Sequence, residues 1–181
     1  VPLVTDWNRK LYLKTNAIGL GLAMANAAVE VDLAKHWSLS LPIYYSAWDY
    51  FKATIKFRTF AIQPEARYWF CDRFSGHFLG FHAIGGQYNV GGLKNNISFL
   101  GTPYKNLTDN RYQGWGVGAG VAYGYAFILD RHWNLEFELG VGYIYNGFDI
   151  FECTGCGREI SQDNHHYIGL TKAAINLVYL F

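Results

Sequence analysis

The chain has 181 residues, enough for one sizeable domain, and neither a linker-like stretch nor a compositional break divides residues 1–181. Charged residues make up only 16% and aromatic residues reach 18%, a combination typical of a protein surrounded by lipid. The formal net charge of +1, without a cluster of Lys and Arg, argues against a nucleic-acid partner.

The spans of a membrane protein would have to be strands, because no run of about 18 apolar residues is present to form a transmembrane helix. In the long uncharged run 113–129, glycines alternate with large residues, and this period of two indicates a strand. Such patterns predict eight strands, at residues 11–24, 27–33, 37–48, 54–70, 77–89, 113–129, 133–147 and 165–181. Pro64 predicts a bulge or an interrupted hydrogen bond within the fourth strand.

The predicted fold class is all-β, an eight-stranded antiparallel up-and-down transmembrane β-barrel in a single domain. Closure between the first and last strands removes the unpaired edges that lipid does not tolerate. A soluble lipocalin-like barrel is the structural alternative, but its core would be apolar and its outside polar.

A short polar corner with a basic residue and an aromatic residue recurs three times, at residues 34–41, 71–79 and 130–137. These corners predict hairpin turns on one rim, and longer connections near residues 49–53, 89–112 and 149–164 predict loops on the other rim. Short periplasmic turns and long outer loops characterise bacterial outer-membrane barrels. The predicted location is therefore the bacterial outer membrane, among its lipid and lipopolysaccharide, with both termini in the periplasm.

The strands alternate between an apolar face and a polar face; on the last strand, Thr171 and Ala173 are predicted to point outward. The other faces gather ten polar side chains in the lumen: Lys14, Glu30, Asp32, Glu65, Arg67, His82, Glu136, Glu138, Lys172 and Asn176. Because an eight-stranded barrel is barely wide enough for its own side chains, we interpret them as a buried paired network. A proton or ion path is the alternative interpretation.

The long third loop is too apolar to be only solvated. Leu93, Ile97, Phe99, Leu100 and Tyr104 predict that it packs on an envelope or surface protein partner, or folds over the barrel mouth. Basic residues at the same rim have two interpretations, as contacts to lipopolysaccharide phosphates or as solvated charges.

Cys153 and Cys156 in the last loop predict a local disulfide, as expected in an oxidising compartment. A metal site completed by His165 and His166 is the alternative, but no second Cys pair supports it, so neither a metal nor a cofactor is predicted.

Catalytic residue types crowd together only at Ser161, Asp163, His165 and His166. Adjacent His residues at the start of a strand project to opposite faces, so no enzyme is predicted.

Four segments of the chain also resemble a known family: residues 63–71 (QPEARYWFC), 86–92 (GQYNVGG), 114–120 (GWGVGAG) and 171–175 (TKAAI). They are similar, in the same order, to an uncharacterised outer-membrane β-barrel family of Bacteroidota, catalogued as domain of unknown function 3575. Members often accompany fimbrial and OmpA-like genes, which implies a cell-envelope role, and the family has no established catalytic residues.

The predicted function is that of a small non-enzymatic outer-membrane barrel. It would act as an envelope scaffold or as an anchor for a protein partner, and the resemblance links this role to fimbrial or other surface assemblies. The alternatives are a narrow channel and a hydrolase at the rim that acts on lipid A or peptide.

Overall fold

The computed structural model describes residues 11–49, 56–91, 97–99, 102–104, 110–152 and 159–181. One short helix, α1 (Ala17–Gly21), occurs in these ranges. The strands are β1 (Leu11–Asn16), β2 (Ala25–Ala34), β3 (Trp37–Asp49), β4 (Lys56–Ile62), β5 (Glu65–Trp69), β6 (Gly76–Gly91), β7 (Ile97–Phe99), β8 (Thr102–Tyr104), β9 (Asn110–Ile128), β10 (Trp133–Glu152) and β11 (Glu159–Leu180). No helix within the described ranges is long and apolar enough to span a membrane.

The main sheet closes on itself. Its strands pair antiparallel in chain order, and β11 pairs with β1. β4 and β5 share one position between β3 and β6, so the closed barrel has eight strands. The predicted all-β, eight-stranded antiparallel barrel is confirmed.

Gln63 and Pro64 separate β4 from β5. Proline has no N–H to contribute to the ladder. The Pro64 carbonyl still accepts a hydrogen bond from the Ala83 N–H at 2.9 Å, and the Gln63 N–H donates to the Pro42 carbonyl at 3.0 Å. The wall is thus continuous across the break, and the interruption predicted at Pro64 is confirmed.

The first strand is shorter than predicted. It ends at Asn16 instead of residue 24, because the Asn16 side chain accepts a hydrogen bond from the Ile18 N–H at 3.0 Å and caps α1. The next strand begins at Ala25. The β1–β2 hairpin therefore ends well short of the β10–β11 pair, which continues to Phe151 and Glu159 on the same rim.

The loops predicted at 89–112 and 149–164 are also shorter than expected. β10 and β11 stay paired out to Phe151 and Glu159, β6 and β9 pair out to Gly91 and Arg111, and β7 pairs with β8 in a small separate hairpin. Hydrophobic alternation did not reveal these extensions, because strands that rise above an apolar band can be polar on both faces.

Two ends of the barrel are distinguished below. The turn side carries the connections at 35–36, 70–75 and 129–132, and the loop side carries the opposite connections. Along each strand, apolar exposed residues alternate with residues that face the lumen. On β10, for example, Leu139 and Val141 are 60% and 54% exposed, whereas Glu136 and Glu138 are buried.

The strands are strongly staggered. A path through paired residues that starts at Tyr12 reaches Gly169 on β11, although Tyr12 itself pairs with Leu180. The path runs through Glu30, Ser40, Glu65, His82, Gly120 and Gly142. Such stagger requires strands that are tilted from the barrel axis, typically by about 35–45°.

A β-bulge at Thr171 reverses the sidedness of β11. Lys172 pairs with Gly140, but Leu170 pairs with Val141, so Thr171 is the additional residue. Its hydroxyl lies 2.9 Å from His82 Nε2 in the lumen. The predicted outward orientation of Thr171 is therefore wrong.

The sequence repeat has a structural counterpart on the turn-side rim. In both close copies, the Trp ring packs edge-on against a Tyr on the adjacent strand, and that Tyr packs edge-on against a Phe two positions later. The rings are Trp37, Tyr68 and Phe70 in one copy and Trp133, Tyr179 and Phe181 in the other. The looser copy at 71–79 differs, because Phe74 has a φ of 61° and turns into the barrel.

Candidate functional site

An aromatic cluster fills the turn side of the lumen. Phe74 enters from the β5–β6 turn and stacks on Tyr12, with ring centroids 3.7 Å apart. Trp69 lies between Phe74 and Phe78, at 5.2 Å and 4.7 Å. Trp69 and Phe78 are fully buried. We call these four residues the aromatic plug.

The charged side chains lie directly above the aromatic plug, and Arg67 is central among them. Its Nη1 atom is 3.1 Å from Glu30 and 2.9 Å from Glu136, and its Nη2 atom is 2.7 Å from Glu138. Its Nε atom donates to Glu65, and its guanidinium carbon lies 4.6 Å from the centre of the Phe78 ring. One arginine thus connects four carboxylates that come from three different strands.

Two lysines complete this ion-pair network. Lys14 Nζ lies 2.8 Å from Glu136 and also pairs with Glu30. Lys172 Nζ lies 2.9 Å from Glu138 and also pairs with Glu65. We call Lys14, Glu30, Glu65, Arg67, Glu136, Glu138 and Lys172 the ionic layer. All seven are at most 5% exposed, so water gives them little help and their mutual pairing must offset the cost of burial.

The other predicted lumen residues lie at the margins of the ionic layer. His82 is buried, with its Nδ1 atom 4.0 Å from Glu65. Asn176 is buried and lines a small adjoining cavity. Asp32 does not join the layer: it pairs with Arg73 of the turn at 2.9 Å. Its position near the end of β2 brings it level with that turn.

Several lumen residues were not included in the predicted network. Ser38 donates to Glu30 and accepts a hydrogen bond from Trp69 Nε1 at 2.9 Å, and it thereby connects the ionic layer to the aromatic plug. The alternation of Ser38 and Ser40 with leucines carries a signal that could have identified them. Phe74 carries no such signal, because a positive φ in a turn cannot be read from alternation.

The loop-side half of the lumen is more open. Its inward positions include Ile84, Tyr167 and the glycines of β9, and these are partly exposed. A cavity of about 440 Å³ lies in this half, lined by inward residues such as Ser46, Thr59 and Tyr88 and also by outward residues such as Phe60 and Trp115. Ile144, Asn146 and Phe148 also point inward at this level and are buried. They do not line the cavity, and we call the cavity itself the vestibule.

The glycines of β9 make room for large neighbours. A Cβ atom at Gly120 would lie 2.7 Å from His82 Nε2, and one at Gly116 would lie 2.5 Å from Asn146 Oδ1. Glycine on the inner face of β9 therefore allows bulky and polar side chains of adjacent strands to fit in a narrow barrel.

The other predicted sites remain predictions. Cys153 and Cys156 lie outside the described residues. The side chains of Ser161 and Asp163 and of the loop residues Leu93, Ile97, Phe99, Leu100 and Tyr104 also lie outside what the structure describes. His165 and His166 point to opposite sides of β11. Within the described residues, no group of three His, Cys, Asp or Glu side chains is arranged to hold a metal ion.

The fold and the residues in the lumen together define the class of protein, which is a small closed β-barrel with an apolar outer face and a buried ionic core. The chain belongs to the family of proteins of unknown function DUF3575, which matches residues 2–181. No curated protein gave a significant match to the chain.

Proposed function

We propose that this protein is a non-enzymatic barrel of the bacterial outer membrane, closed by its own side chains, which anchors a partner protein through its loops. One observation carries the proposal, the reversed polarity of the barrel. Outward side chains such as Leu139, Phe81 and Ile168 are large, apolar and 50% or more exposed, while seven charged residues are buried inside. A water-soluble barrel needs the opposite arrangement.

The aromatic side chains support a membrane setting. Aromatic rings pack together at both ends of the outer face, with Trp133 and Phe127 on the turn side and Trp115 and Tyr145 towards the loop side, and further aromatic residues such as Phe81 lie between them. At about 3.4 Å per residue and a tilt of about 40°, Trp115 and Phe127 lie roughly 30 Å apart along the axis. This spacing fits two interfacial belts that flank an apolar band about 25 Å tall.

The closed lumen supports an anchor over a channel. Every residue of the aromatic plug and of the ionic layer is at most 5% exposed, and the cavity beside the ionic layer measures only about 10 Å³, room for about one water. Conduction would require several buried ion pairs to separate. The partner contact proposed here is the segment 93–105, where β7 and β8 hold Ile97 opposite Tyr104 in backbone register.

Membrane insertion can be tested with the purified full chain in detergent and in vesicles. We expect strand-rich circular dichroism and a gel band whose migration changes on boiling. A monomer that stays soluble and compact without detergent would contradict the proposal and favour a lipocalin-like carrier.

Closure is tested by reconstitution in planar bilayers. No conductance steps are expected from the wild-type chain. Regular steps at low voltage would instead support the narrow channel.

The partner contact is tested by comparing three chains as bait for envelope extracts: the wild type, a deletion of 93–105, and a control deletion of 153–158. The partner should be captured by the wild type and by the control, and lost with the first deletion. All three chains should keep the heat-modifiable band. Equal capture by all three would remove the segment 93–105 from the proposal.

A further inference from the structure

Most residues that line the vestibule point to the outer face of the barrel. Of the twelve lining residues, eight alternate in phase with the exposed residues of their strands, as Trp115 does with Val117 on β9. The volume of about 440 Å³ lies within the range of about 300–1,000 Å³ that is usual for small-ligand sites. The vestibule is therefore accessible from the outer face and large enough for a small polar group.

Four outward residues of the vestibule form a row across neighbouring strands. Arg58 of β4 pairs in register with Asn89 of β6. Asn89 pairs with Gln113 of β9, which in turn pairs with Asp149 of β10. All four line the vestibule, and neighbouring strands lie about 4.8 Å apart, so the row is about 14 Å long. We call Arg58, Asn89, Gln113 and Asp149 the polar row.

Aromatic rings border the polar row on its turn side. Phe60 and Trp115 come two residues after Arg58 and Gln113, on strands that run towards the turn side, and both rings are exposed and line the vestibule. Two residues further, the outward positions are the apolar Ile62 of β4 and Val117 of β9. The aromatic rings thus separate the polar row from the apolar outer face.

The polar row lies at the level expected for lipid headgroups. The staggered path from Tyr12 to Gly169 shows that rows of paired residues climb towards the loop side from β1 to β11. At a tilt of about 40°, the climb is about 3 Å per strand. Arg58 therefore lies at about the height of Trp115, and Asn89 lies about 3 Å higher. Since Trp115 belongs to the loop-side aromatic residues, these side chains reach the interface between lipid and water.

One oxygen atom of the polar row has its hydrogen-bonding capacity unused. Asn89 Oδ1 is shielded from solvent and has no hydrogen-bond partner among the described residues. Buried side-chain oxygens are seldom left in this state. Because an amide oxygen only accepts hydrogen bonds, the missing partner must be a donor, such as a hydroxyl group.

The residue types of the polar row match a phosphorylated sugar. Amide and carboxylate side chains suit hydroxyl groups, which both donate and accept hydrogen bonds. The Arg58 guanidinium suits a phosphate, and the exposed Trp115 ring offers an apolar face on which a sugar ring can pack. A phosphate headgroup without hydroxyl groups would use Arg58 and leave the amides of Asn89 and Gln113 unpaired.

We propose that the polar row and Trp115 bind the phosphorylated sugar headgroup of a membrane lipid of the lipid A type. The phosphate would lie at Arg58, and the sugar hydroxyls at Asn89 and Gln113. This inference rests on the membrane setting in the proposed function. A protein from the aqueous side fits less well, because the turn-side border of the vestibule is formed by rings that continue into the apolar outer face. A lipid covers both surfaces, with its headgroup on the polar row and its acyl chains below Phe60.

The test titrates the full chain in a mild detergent with three lipids and counts bound lipids by native mass spectrometry. The lipids are diphosphorylated lipid A, the same lipid without its phosphates, and phosphatidylglycerol. We expect one lipid A per chain, with the dephosphorylated form bound about ten-fold more weakly and phosphatidylglycerol more weakly still. Free glucosamine 1-phosphate at the same concentration should not displace lipid A, because it has no acyl chains.

Three variants locate the site. Arg58→Gln should weaken binding of lipid A about ten-fold and leave binding of the dephosphorylated form unchanged. The matched control Arg131→Gln removes an exposed arginine from the opposite rim and should change neither. Asn89→Leu should weaken binding of both forms by a similar factor, because it removes a contact to the sugar. Each variant is first checked for the heat-modifiable band, and a misfolded Asn89→Leu would be replaced by Asn89→Ala.

The outcomes separate this inference from the proposed function. Equal binding of phosphatidylglycerol and lipid A would overturn a sugar site, and equal effects of Arg58→Gln and Arg131→Gln would overturn its place on the polar row. Displacement of lipid A by glucosamine 1-phosphate would assign the site to a free sugar phosphate instead of a lipid. All three results would leave membrane insertion standing as long as the heat-modifiable band persists. A chain that stays soluble without detergent would overturn membrane insertion and the inference with it.

Discussion

The two halves of the lumen differ in how tightly their side chains are packed and paired. On the turn side, Trp69, Phe78 and Glu136 are fully buried, and the charged groups of the ionic layer pair with one another. On the loop side, there is a cavity of about 440 Å³ instead of the about 10 Å³ beside the ionic layer. The turn side is thus built as a stabilising core, and the loop side keeps room that stability alone does not require.

The largest expected effect comes from Arg67→Met, which leaves four buried carboxylates without their shared cation. The expected loss is about 3–5 kcal/mol of unfolding free energy. Urea unfolding in vesicles, followed by the heat-modifiable band, measures it. The matched control is Arg73→Met, whose ion pair with Asp32 is partly exposed and should cost about 1 kcal/mol or less. Equal losses would refute the central role of the ionic layer.

Charge placed on the outer face should have the next largest effect. Leu139 and Leu129 are equally exposed, at 60% and 59%, but Leu139 lies midway along β10 and Leu129 lies in a turn. Leu139→Arg should cost about 2–4 kcal/mol, and Leu129→Arg should cost about 0–1 kcal/mol, if lipid surrounds the middle of the barrel. Folding titrations into vesicles test this. Similar values for both would indicate that no apolar band separates the two sites.

The packing of the turn side can be tested at a glycine. A Cβ atom at Gly124 would overlap Phe78 Cζ and lie 2.7 Å from the Phe137 carbonyl oxygen, whereas a Cβ atom at Gly85 would meet nothing within 4 Å. Gly124→Ala should therefore cost about 1–3 kcal/mol through overpacking. Gly85→Ala should cost nothing measurable in the same unfolding assay. If Gly124→Ala left the free energy of unfolding unchanged, the side chains of the aromatic plug would move aside more easily than their contacts indicate.

The alternation of polar and apolar residues was sufficient to predict which side chains face the lumen where a strand keeps one polar face along its length, as for Glu136 and Glu138 on β10. It failed at Thr171, because a bulge changes the sidedness within one strand. It failed at residues 17–24, because a wholly apolar segment has no period that distinguishes a strand from a capped helix at a low hairpin. It also grouped Asp32 with the ionic layer, since only the three-dimensional path of the turn brings Arg73 to that side chain.

The smallest expected effect comes from the same substitution, Asn to Leu, made once in each half of the lumen. Asn134 and Asn146 both lie on β10, both point inward, and both are at most 2% exposed. Asn134 Nδ2 donates to the Phe74 carbonyl at 2.8 Å and fixes the turn that carries the aromatic plug, whereas the amide of Asn146 has no hydrogen-bond partner among the described residues.

Asn134→Leu should therefore cost about 1–3 kcal/mol, because it leaves a buried carbonyl unpaired. Asn146→Leu replaces an unpaired amide with an apolar group of similar size and should be neutral or slightly stabilising in lipid-free detergent. If both variants lost the same stability in detergent, the two buried amides would contribute equally to stability. The contrast between the turn side and the loop side would then not hold.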